Sequence, residues 1–410
     1  MTQNLILFLF FYFCQIIGIL LTHSVLANST TSDVYVNFVF FYTCISLISF
    51  LGLYGIQIKI PRIVNKISLI KFKKYLSFFF SNCVINFFLL IIPYYLLIYI
   101  LKLETIYYIL PLSVIQFIFI KIFFPTIIFL KINHLFYLIS LSIIRFIFFP
   151  IILYLYSQQN YLHLINIYVI LIFIDSIIIC FVFRTIISFS YFVNFFKLYK
   201  LVRLVSFLKF IFPIKNKAHF NSSIIFEISS KLDLIIFFNY FSVTEMAIFS
   251  ICQNVLDSFS QLISFIRQWY NNIINNINSD FKIFTKKIIQ YGFFGSILSY
   301  LISLLVFKLY ISLFFSEYFY LYDRIYNIYL IMALIFLLKG SIGPVIYFLY
   351  YKYNKVVFVQ NLFLMLIIQT ILLFLFANFL TFEYAILGTL VPWVILVIIF
   401  FKNFIFLKKY

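Results

Sequence analysis

The chain has 410 residues, of which 65% are hydrophobic, 23% are aromatic and only 10% carry a charged side chain. A soluble domain is roughly half apolar and one quarter charged, so this composition excludes an ordinary soluble protein. The formal net charge of +19 does not indicate nucleic-acid binding, because the Lys and Arg residues lie between apolar runs and form no patch on a soluble face.

Apolar runs of about 20 residues, the length that crosses a bilayer as a helix, recur along the whole chain. The first run, from Leu5 to Leu26, follows no basic segment and precedes no convincing cleavage site, so we expect a membrane span and not a signal peptide. The sequence therefore predicts an all-α integral membrane protein with about twelve transmembrane helices. The spans fall at about 5–26, 34–58, 76–101, 105–130, 134–157, 162–187, 220–241, 245–268, 288–315, 325–351, 356–379 and 382–404.

The charges between the spans predict the orientation. If the N-terminus is cytoplasmic, 23 of the 30 Lys and Arg residues lie on the cytoplasmic side, and only Lys102 and Arg324 lie in outside loops. Cytoplasmic loops of membrane proteins carry such an excess of basic residues. A register error of one span would invert every later loop, so the pattern supports the span count and places both termini in the cytoplasm.

The longest connection, residues 188–219, is an amphipathic segment. Lys197, Lys200 and Arg203 recur among apolar residues, which favours a helix in the cytoplasmic interface over a further span. This segment divides the chain into an N-terminal six-helix bundle (1–187) and a C-terminal six-helix bundle (220–410). In the tenth span, residues 340–344 combine two Gly residues with a Pro, which predicts a bend, either an ordinary kink or a hinge of a rocking transporter.

Charged residues inside the spans are the candidates for function, because a charge in hydrocarbon is expensive. Arg145 and Asp175 lie near the middle of neighbouring spans, where a buried ion pair and an Arg available to phosphate are equally open interpretations. Lys231, Asp233 and Asp257 predict a polar cluster at the start of the second half. The further candidates are Lys121 and Lys339 within spans, and Arg184 and Arg267 at the cytoplasmic mouth, where the orientation rule already explains them.

No motif indicates an enzyme. The five Cys residues lie inside apolar runs without CxxC spacing, and the four His residues fall near helix ends, where we expect interfacial polar side chains. A P-loop, a nucleotide fingerprint and an HExxH motif are all absent from the sequence. We therefore expect no catalytic residues, no metal ligands and no cofactor.

Two stretches resemble a known family. KLDLIIFFNYFSVTEMAIFS, residues 231–250, resembles the seventh-to-eighth helix junction of polysaccharide flippases, with Lys231 and Asp233, then Glu245, then Phe249-Ser250. FLGLYGIQIKIPR, residues 50–62, resembles the end of their second helix. The family is that of the O-antigen and lipid-linked oligosaccharide flippases of the multidrug/oligosaccharidyl-lipid/polysaccharide exporter superfamily. The chain departs from it where Ala247-Ile248 replace the usual Gly before the aromatic residue.

The resemblance implies two six-helix bundles around a polar central cavity in the bacterial inner membrane. It implies alternating access that moves an undecaprenyl-diphosphate-linked oligosaccharide from the cytoplasmic to the periplasmic leaflet. Arg145, Lys121, Lys339 and Lys231 are the expected substrate-binding cations, while Asp175, Asp233 and Asp257 would pair with them or take up a coupling cation. The expected partners are the lipid-linked oligosaccharide, membrane lipids and other polysaccharide-assembly membrane proteins, with no nucleic acid.

Two alternatives stay open. An ion-coupled multidrug exporter of the same superfamily would favour an acidic pocket, whereas the embedded charges here comprise five basic and four acidic residues. A multi-pass surface-polysaccharide polymerase is the alternative from the enzyme class. Such proteins carry a long periplasmic loop with Arg residues, and the predicted outside loops of this chain are all short.

Overall fold

The computed structural model describes residues 2–53, 143, 147–156, 174, 217–274, 281–353 and 356–406, and the structural statements below concern these residues. Every regular element in this part of the chain is helical, which confirms the all-α prediction for it. The predicted spans 76–101 and 105–130, most of 134–157 and 162–187, and most of the linker 188–219 lie outside the described residues.

The described helices follow the predicted spans closely. In chain order they are α1 (Thr2–Ser29), α2 (Ser32–Leu53), α3 (Phe149–Tyr156), α4 (Lys217–Phe237), α5 (Val243–Ile274), α6 (Phe281–Phe314), a 3-10 helix (Ser316–Leu321), α7 (Tyr322–Tyr353), α8 (Val356–Phe379), α9 (Phe382–Ala385) and α10 (Leu387–Phe406). The α5 and α6 helices extend beyond the predicted 245–268 and 288–315. Hydropathy marks only the apolar part of a helix, whereas backbone hydrogen bonding continues into the polar flanks.

Four helical segments in the described part of the chain are long and apolar enough to cross a membrane. They are Gly292–Phe314, Tyr318–Gly340, Gln360–Phe379 and Phe382–Ile399. These segments correspond to the last four predicted spans and indicate a membrane protein. The total of twelve spans and the cytoplasmic location of the termini stay predictions.

The chain divides into two compact units, one of residues 1–40 and 228–410 and the other of residues 41–227. The first unit contains α1 because this helix packs along α5. The sequence placed the first span in the N-terminal bundle, and hydropathy alone carries no information about which helices pack together. The predicted division into 1–187, 188–219 and 220–410 stays a prediction.

Within the first unit, α5, α6 and α7 pack around aromatic and small side chains. The rings of Phe307 and Tyr329 stack with centroids 3.8 Å apart, and the Tyr329 hydroxyl donates a hydrogen bond to Ser303 Oγ at 2.5 Å. The opposite face of α6 presents apolar side chains outward, among them Leu305, which is 81% exposed. An outward apolar face on a long helix is the surface that lipid covers.

Several helix ends meet on one face of the first unit. The Asn28 amide at the end of α1 donates to the Phe314 carbonyl at the end of α6, at 2.5 Å. The Phe382 ring, at the start of α9, packs edge-on against the rings of Phe237 and Phe249, which lie at the end of α4 and in the first turns of α5. These ends belong to loops that the charge pattern assigns to the same, outer side of the membrane.

The Gly/Pro segment of the tenth predicted span does not interrupt the helix. The α7 helix runs from Tyr322 to Tyr353 without a break and includes residues 340–344. The α10 helix likewise continues through Pro392. Proline within a membrane helix removes one backbone hydrogen bond but is tolerated where neighbouring groups satisfy the freed carbonyl.

Candidate functional site

An ion pair joins α4 and α5 in the interior of the first unit. The ammonium of Lys231 lies 3.1 Å from Asp257 Oδ2. The Lys231 side chain is 18% exposed, whereas that of Asp257 is 50% exposed. The pair is therefore accessible from the side of the carboxylate.

The position of Asp257 along α5 shows why this exposure matters. Asp257 lies 14 residues after Val243, the first residue of α5, and a helix rises 1.5 Å per residue, so the carboxylate is about 21 Å from the helix start. That depth falls within a hydrocarbon core of about 30 Å. Because an ionised side chain facing lipid at this depth is costly, an accessible Asp257 fits a water-filled cavity.

A second carboxylate lies close to this pair. Asp233, two residues after Lys231 on α4, is 6% exposed, and its Oδ1 accepts a hydrogen bond from the Leu234 N–H at 2.9 Å. Lys339 of α7, Lys231 and Asp257 all interact electrostatically with Asp233. Three helices thus place two ammonium groups and two carboxylates in one region.

Lys339 is positioned by an aromatic ring. Its ammonium lies 5.6 Å from the ring centroid of Trp393, which is fully buried on α10. A cation over an aromatic face is attracted by the ring quadrupole, so this contact holds the ammonium inside the bundle near α4. We call Lys231, Asp233, Asp257 and Lys339 the embedded charge cluster.

Beside the embedded charge cluster lies a buried polar network that connects α1, α2 and α5. His23 Nδ1 lies 2.9 Å from Asn254 Nδ2, and the same amide nitrogen donates to the Tyr35 hydroxyl at 3.0 Å. His23 is 7% exposed. The interfacial position expected for His23 stays a prediction, and the structure shows that its side chain contacts Asn254 of α5.

A different ion cluster lies where several helix ends meet, and it consists of Arg324, Glu245 and Glu383. Arg324, in the first turn of α7, donates from Nε to Glu383 Oε1 at 2.5 Å and from Nη2 to Glu245 Oε1 at 2.9 Å. One guanidinium thus joins the first turns of α5, α7 and α9. Glu245, which carried part of the family resemblance, has a structural role in this cluster.

Glu245 also caps α5 together with Ser242. Glu245 Oε2 accepts hydrogen bonds from the Ser242 N–H at 3.1 Å and from the Ser242 hydroxyl at 2.9 Å. The Glu245 N–H donates back to Ser242 Oγ at 3.4 Å, and the Ser242 carbonyl accepts from Met246. This reciprocal arrangement is a capping box, and the spacing S-x-x-E in the sequence is its signature.

Four of the predicted site residues belong to the described structure with their side chains, namely the members of the embedded charge cluster. Arg267 lies in α5, but its side chain is not among those described. Lys121, Arg145, Asp175 and Arg184 lie outside the described residues. The structure thus brings together four of the candidates of the C-terminal half and leaves the assignment of the others as a prediction.

Sequence reasoning missed the polar network and the ion cluster of Arg324, Glu245 and Glu383. Asn254 lies three residues before Asp257, so both fall on one face of α5, and this spacing could have flagged Asn254. The pairing of Arg324 with two glutamates that are 79 and 59 residues distant left no local signal. Among the described residues, no three His, Cys, Asp or Glu side chains lie close enough together to hold a metal ion.

The long apolar helices, and the charged side chains that lie between them, indicate that the protein belongs to the class of helical membrane proteins with a polar interior. Comparisons with protein-family models, with curated proteins and with solved structures find no match for this chain.

Proposed function

We propose that this protein is a transporter that flips an anionic lipid-linked oligosaccharide, of the undecaprenyl-diphosphate type, across the bacterial inner membrane by alternating access. The single observation that supports it most is the embedded charge cluster, with Lys231 and Lys339 beside Asp233 at membrane depth and Asp257 half exposed. A purely structural membrane protein would not be expected to keep such charges accessible.

The chemistry of the substrate fits this cluster. A diphosphate crossing the membrane needs cationic groups that replace water around its oxygens, and an ammonium supplies three donors. The polyprenyl tail can stay in lipid, so the protein needs to shelter only the head group. Lys231 can exchange its carboxylate partner for a phosphate oxygen, since both are anionic acceptors.

The multidrug exporter is the weaker alternative. A pocket for organic cations would need carboxylates available to the ligand. Asp257 is instead paired with Lys231 at 3.1 Å, and Asp233 interacts with two ammonium groups. Each of these two carboxylates therefore has an ammonium group beside it that would compete with a cationic ligand.

The polysaccharide polymerase is also disfavoured. The described connections on the face where the helix ends meet are short, since α4 and α5 are separated by residues 238–242 and α8 and α9 by residues 380–381. A polymerase would need a larger outer domain to hold acceptor and donor chains together.

A reconstitution assay tests the proposal. The full chain is placed in liposomes with undecaprenyl-diphosphate-linked N-acetylglucosamine as the probe, and movement between leaflets is followed with a membrane-impermeant enzyme that modifies the sugar. We expect protein-dependent movement that falls at least about tenfold in Lys231→Gln, a loss of about 1.4 kcal/mol of interaction.

Lys308→Gln is the matched control, because Lys308 is exposed on α6. Its rate should stay within about twofold of the unmodified chain. The proposal would be overturned if the probe moves equally fast without the protein, or if Lys231→Gln leaves the rate of movement unchanged. Arg145→Ala in cells extends the test to the N-terminal half, where we expect surface polysaccharide to be lost while the protein level is unchanged.

A further inference from the structure

The hydrogen bonds of the buried polar network fit a neutral His23 imidazole. The Asn254 amide nitrogen faces both His23 Nδ1, at 2.9 Å, and the Tyr35 hydroxyl, at 3.0 Å. An amide NH2 group carries two donor hydrogens and no acceptor, so Nδ1 is an acceptor in this arrangement. The imidazole is then neutral, with its proton on Nε2.

Protonation of His23 is incompatible with this arrangement. Both ring nitrogens of an imidazolium are donors, so an N–H on Nδ1 would meet the donor hydrogens of Asn254. If the Asn254 amide turns over, its oxygen can accept from His23 Nδ1 and from the Tyr35 hydroxyl at the same time. The contacts of Asn254 with His23 and Tyr35 can therefore be made in two arrangements, and the imidazolium fits only the second.

The network lies one helical turn from the Lys231–Asp257 ion pair. Asn254 and Asp257 are three residues apart on α5, which places them on one face with a rise of about 4.5 Å. Asp257 and Lys231 both interact electrostatically with His23. A positive charge on His23 would attract Asp257 and repel Lys231, and both effects weaken the pair.

The remaining elements around His23 contribute phenols. Tyr35 of α2 is bound to Asn254, and Tyr310 of α6 donates to the Leu20 carbonyl at 2.8 Å and accepts from Ser24 at 2.9 Å. Phenols are neutral near pH 7. The charged groups of the described helices that act on His23 thus come from α4 (Lys231) and α5 (Asp257).

We propose that His23 is a proton-binding site that loosens the Lys231–Asp257 pair when it is protonated, through the turn of the Asn254 amide and the added positive charge. Proton uptake from water would thereby release the Lys231 ammonium for an anionic lipid head group. The proton site stands on the described geometry alone, whereas its link to transport rests on the proposed function.

The first experiment measures the site without reference to transport. The chain contains four histidines, and replacing His134, His163 and His219 by Gln leaves His23 as the only one. Nitrogen NMR of this chain, labelled with 15N-histidine in liposomes, then follows His23 between pH 4 and pH 8. Asp257→Asn should lower the midpoint of the His23 titration and Lys231→Gln should raise it, each by about one pH unit.

The outcomes separate clearly. Midpoints that do not move in either variant would overturn the proposal, and so would a His23 that stays neutral over the whole range. A His23→Gln variant of the otherwise unmodified chain is used in the second experiment. The Gln side chain can accept a hydrogen bond from Asn254 but cannot be protonated between pH 4 and pH 8.

The second experiment links the site to transport of the lipid-linked N-acetylglucosamine probe under an imposed pH gradient. One pH unit is a tenfold difference in proton activity, so the unmodified chain should respond by up to about tenfold. His23→Gln should lose this response, and His219→Gln should keep it. If the rate of probe movement does not depend on the pH gradient, the coupling is overturned and the proposed function is not. If the His23 midpoints shift but the probe does not move, the proposed function is contradicted and the proton site is not.

Discussion

A pair of buried polar side chains joins α4 and α8 of the first unit. Gln369 of α8 accepts a hydrogen bond from Ser229 Oγ at 2.5 Å and donates to the Ser229 carbonyl at 2.9 Å, so one amide satisfies two groups of α4. Both side chains are fully buried. In an apolar surrounding, a polar group that loses its partner keeps the whole cost of its desolvation.

Replacing this amide should therefore destabilise the protein. We expect Gln369→Leu to lower the free energy of unfolding by about 1–3 kcal/mol. The Ser229 hydroxyl would lose its acceptor, and the Ser229 carbonyl would lose the hydrogen bond that it accepts from the Gln369 amide. Thermal unfolding of the detergent-solubilised chain measures the change. Gln360→Leu is the control, because Gln360 lies on the same helix with an exposed side chain and should change the melting temperature little. Equal effects of the two variants would contradict the assignment.

At the scale of whole elements, two contacts decide how the helices of the first unit are held. The capping box of Ser242 and Glu245 begins α5, and Arg324 then connects that first turn to α7 and α9. Capping hydrogen bonds satisfy backbone donors that a helix start leaves without partners. The first turns of these helices are thus fixed by one serine, two glutamates and one arginine.

The two functions of Glu245 can be separated by mutation. Ser242→Ala should cost about 1 kcal/mol of unfolding free energy, because it removes the cap but leaves the ion pair. Glu245→Gln keeps an acceptor for the cap and removes the charge opposite Arg324, so its effect should be smaller than that of Glu245→Ala. Chemical unfolding in mixed detergent micelles ranks the three variants. A Glu245→Ala variant that is as stable as the Glu245→Gln variant would contradict a role of Glu245 in capping.

A close approach between α8 and α10 depends on a glycine. A Cβ atom added to Gly388 would lie 3.2 Å from the Cα and the backbone nitrogen of Leu373. Both atoms belong to the backbone and cannot rotate away, so the helices would have to separate by a few tenths of an ångström. We expect Gly388→Ala to cost about 1–3 kcal/mol. Val391→Ala, which shortens an exposed side chain of the same helix, should cost far less in the same unfolding measurement.

At the scale of the whole molecule, the convergence of helix ends bears on the predicted topology. The ends of α1, α4, α6 and α8 and the starts of α5, α7 and α9 meet on one face through hydrogen bonds, ion pairs and ring contacts. The charge pattern assigns the same connections to the outer side of the membrane. Hydropathy, charge and packing therefore agree on which connections lie together.

Chemical labelling tests this topology directly. In a chain whose five cysteines are replaced by serine, we expect Asn239→Cys and Thr381→Cys to react with a membrane-impermeant maleimide added outside intact cells. Both positions are exposed in short connections of the convergent face. Ser279→Cys and Asn354→Cys, in the intervening connections, should react only after the membrane is permeabilised. If the two positions of either pair are labelled from opposite sides of the membrane, the predicted alternation of spans is refuted.

Helix positions and their polar residues could be predicted from the sequence because both are local properties. A segment in a bilayer must satisfy its backbone internally, so an apolar run of sufficient length becomes a helix wherever it stands in the chain. The predicted span 356–379 agrees with α8 at both ends for this reason. The embedded charges were visible for the same reason, since each lies within an apolar run.

The partners of those charges were decided only by the tertiary structure. Lys231 could have paired with Asp233 or with Asp257, and packing of α4 against α5 selects Asp257. His23 is buried and Arg324 joins two distant glutamates because helices far apart in sequence pack side by side. Lipid is as apolar as a helix surface, so hydropathy does not distinguish a lipid-facing side from a protein-facing one, and only the fit of side chains and polar groups does.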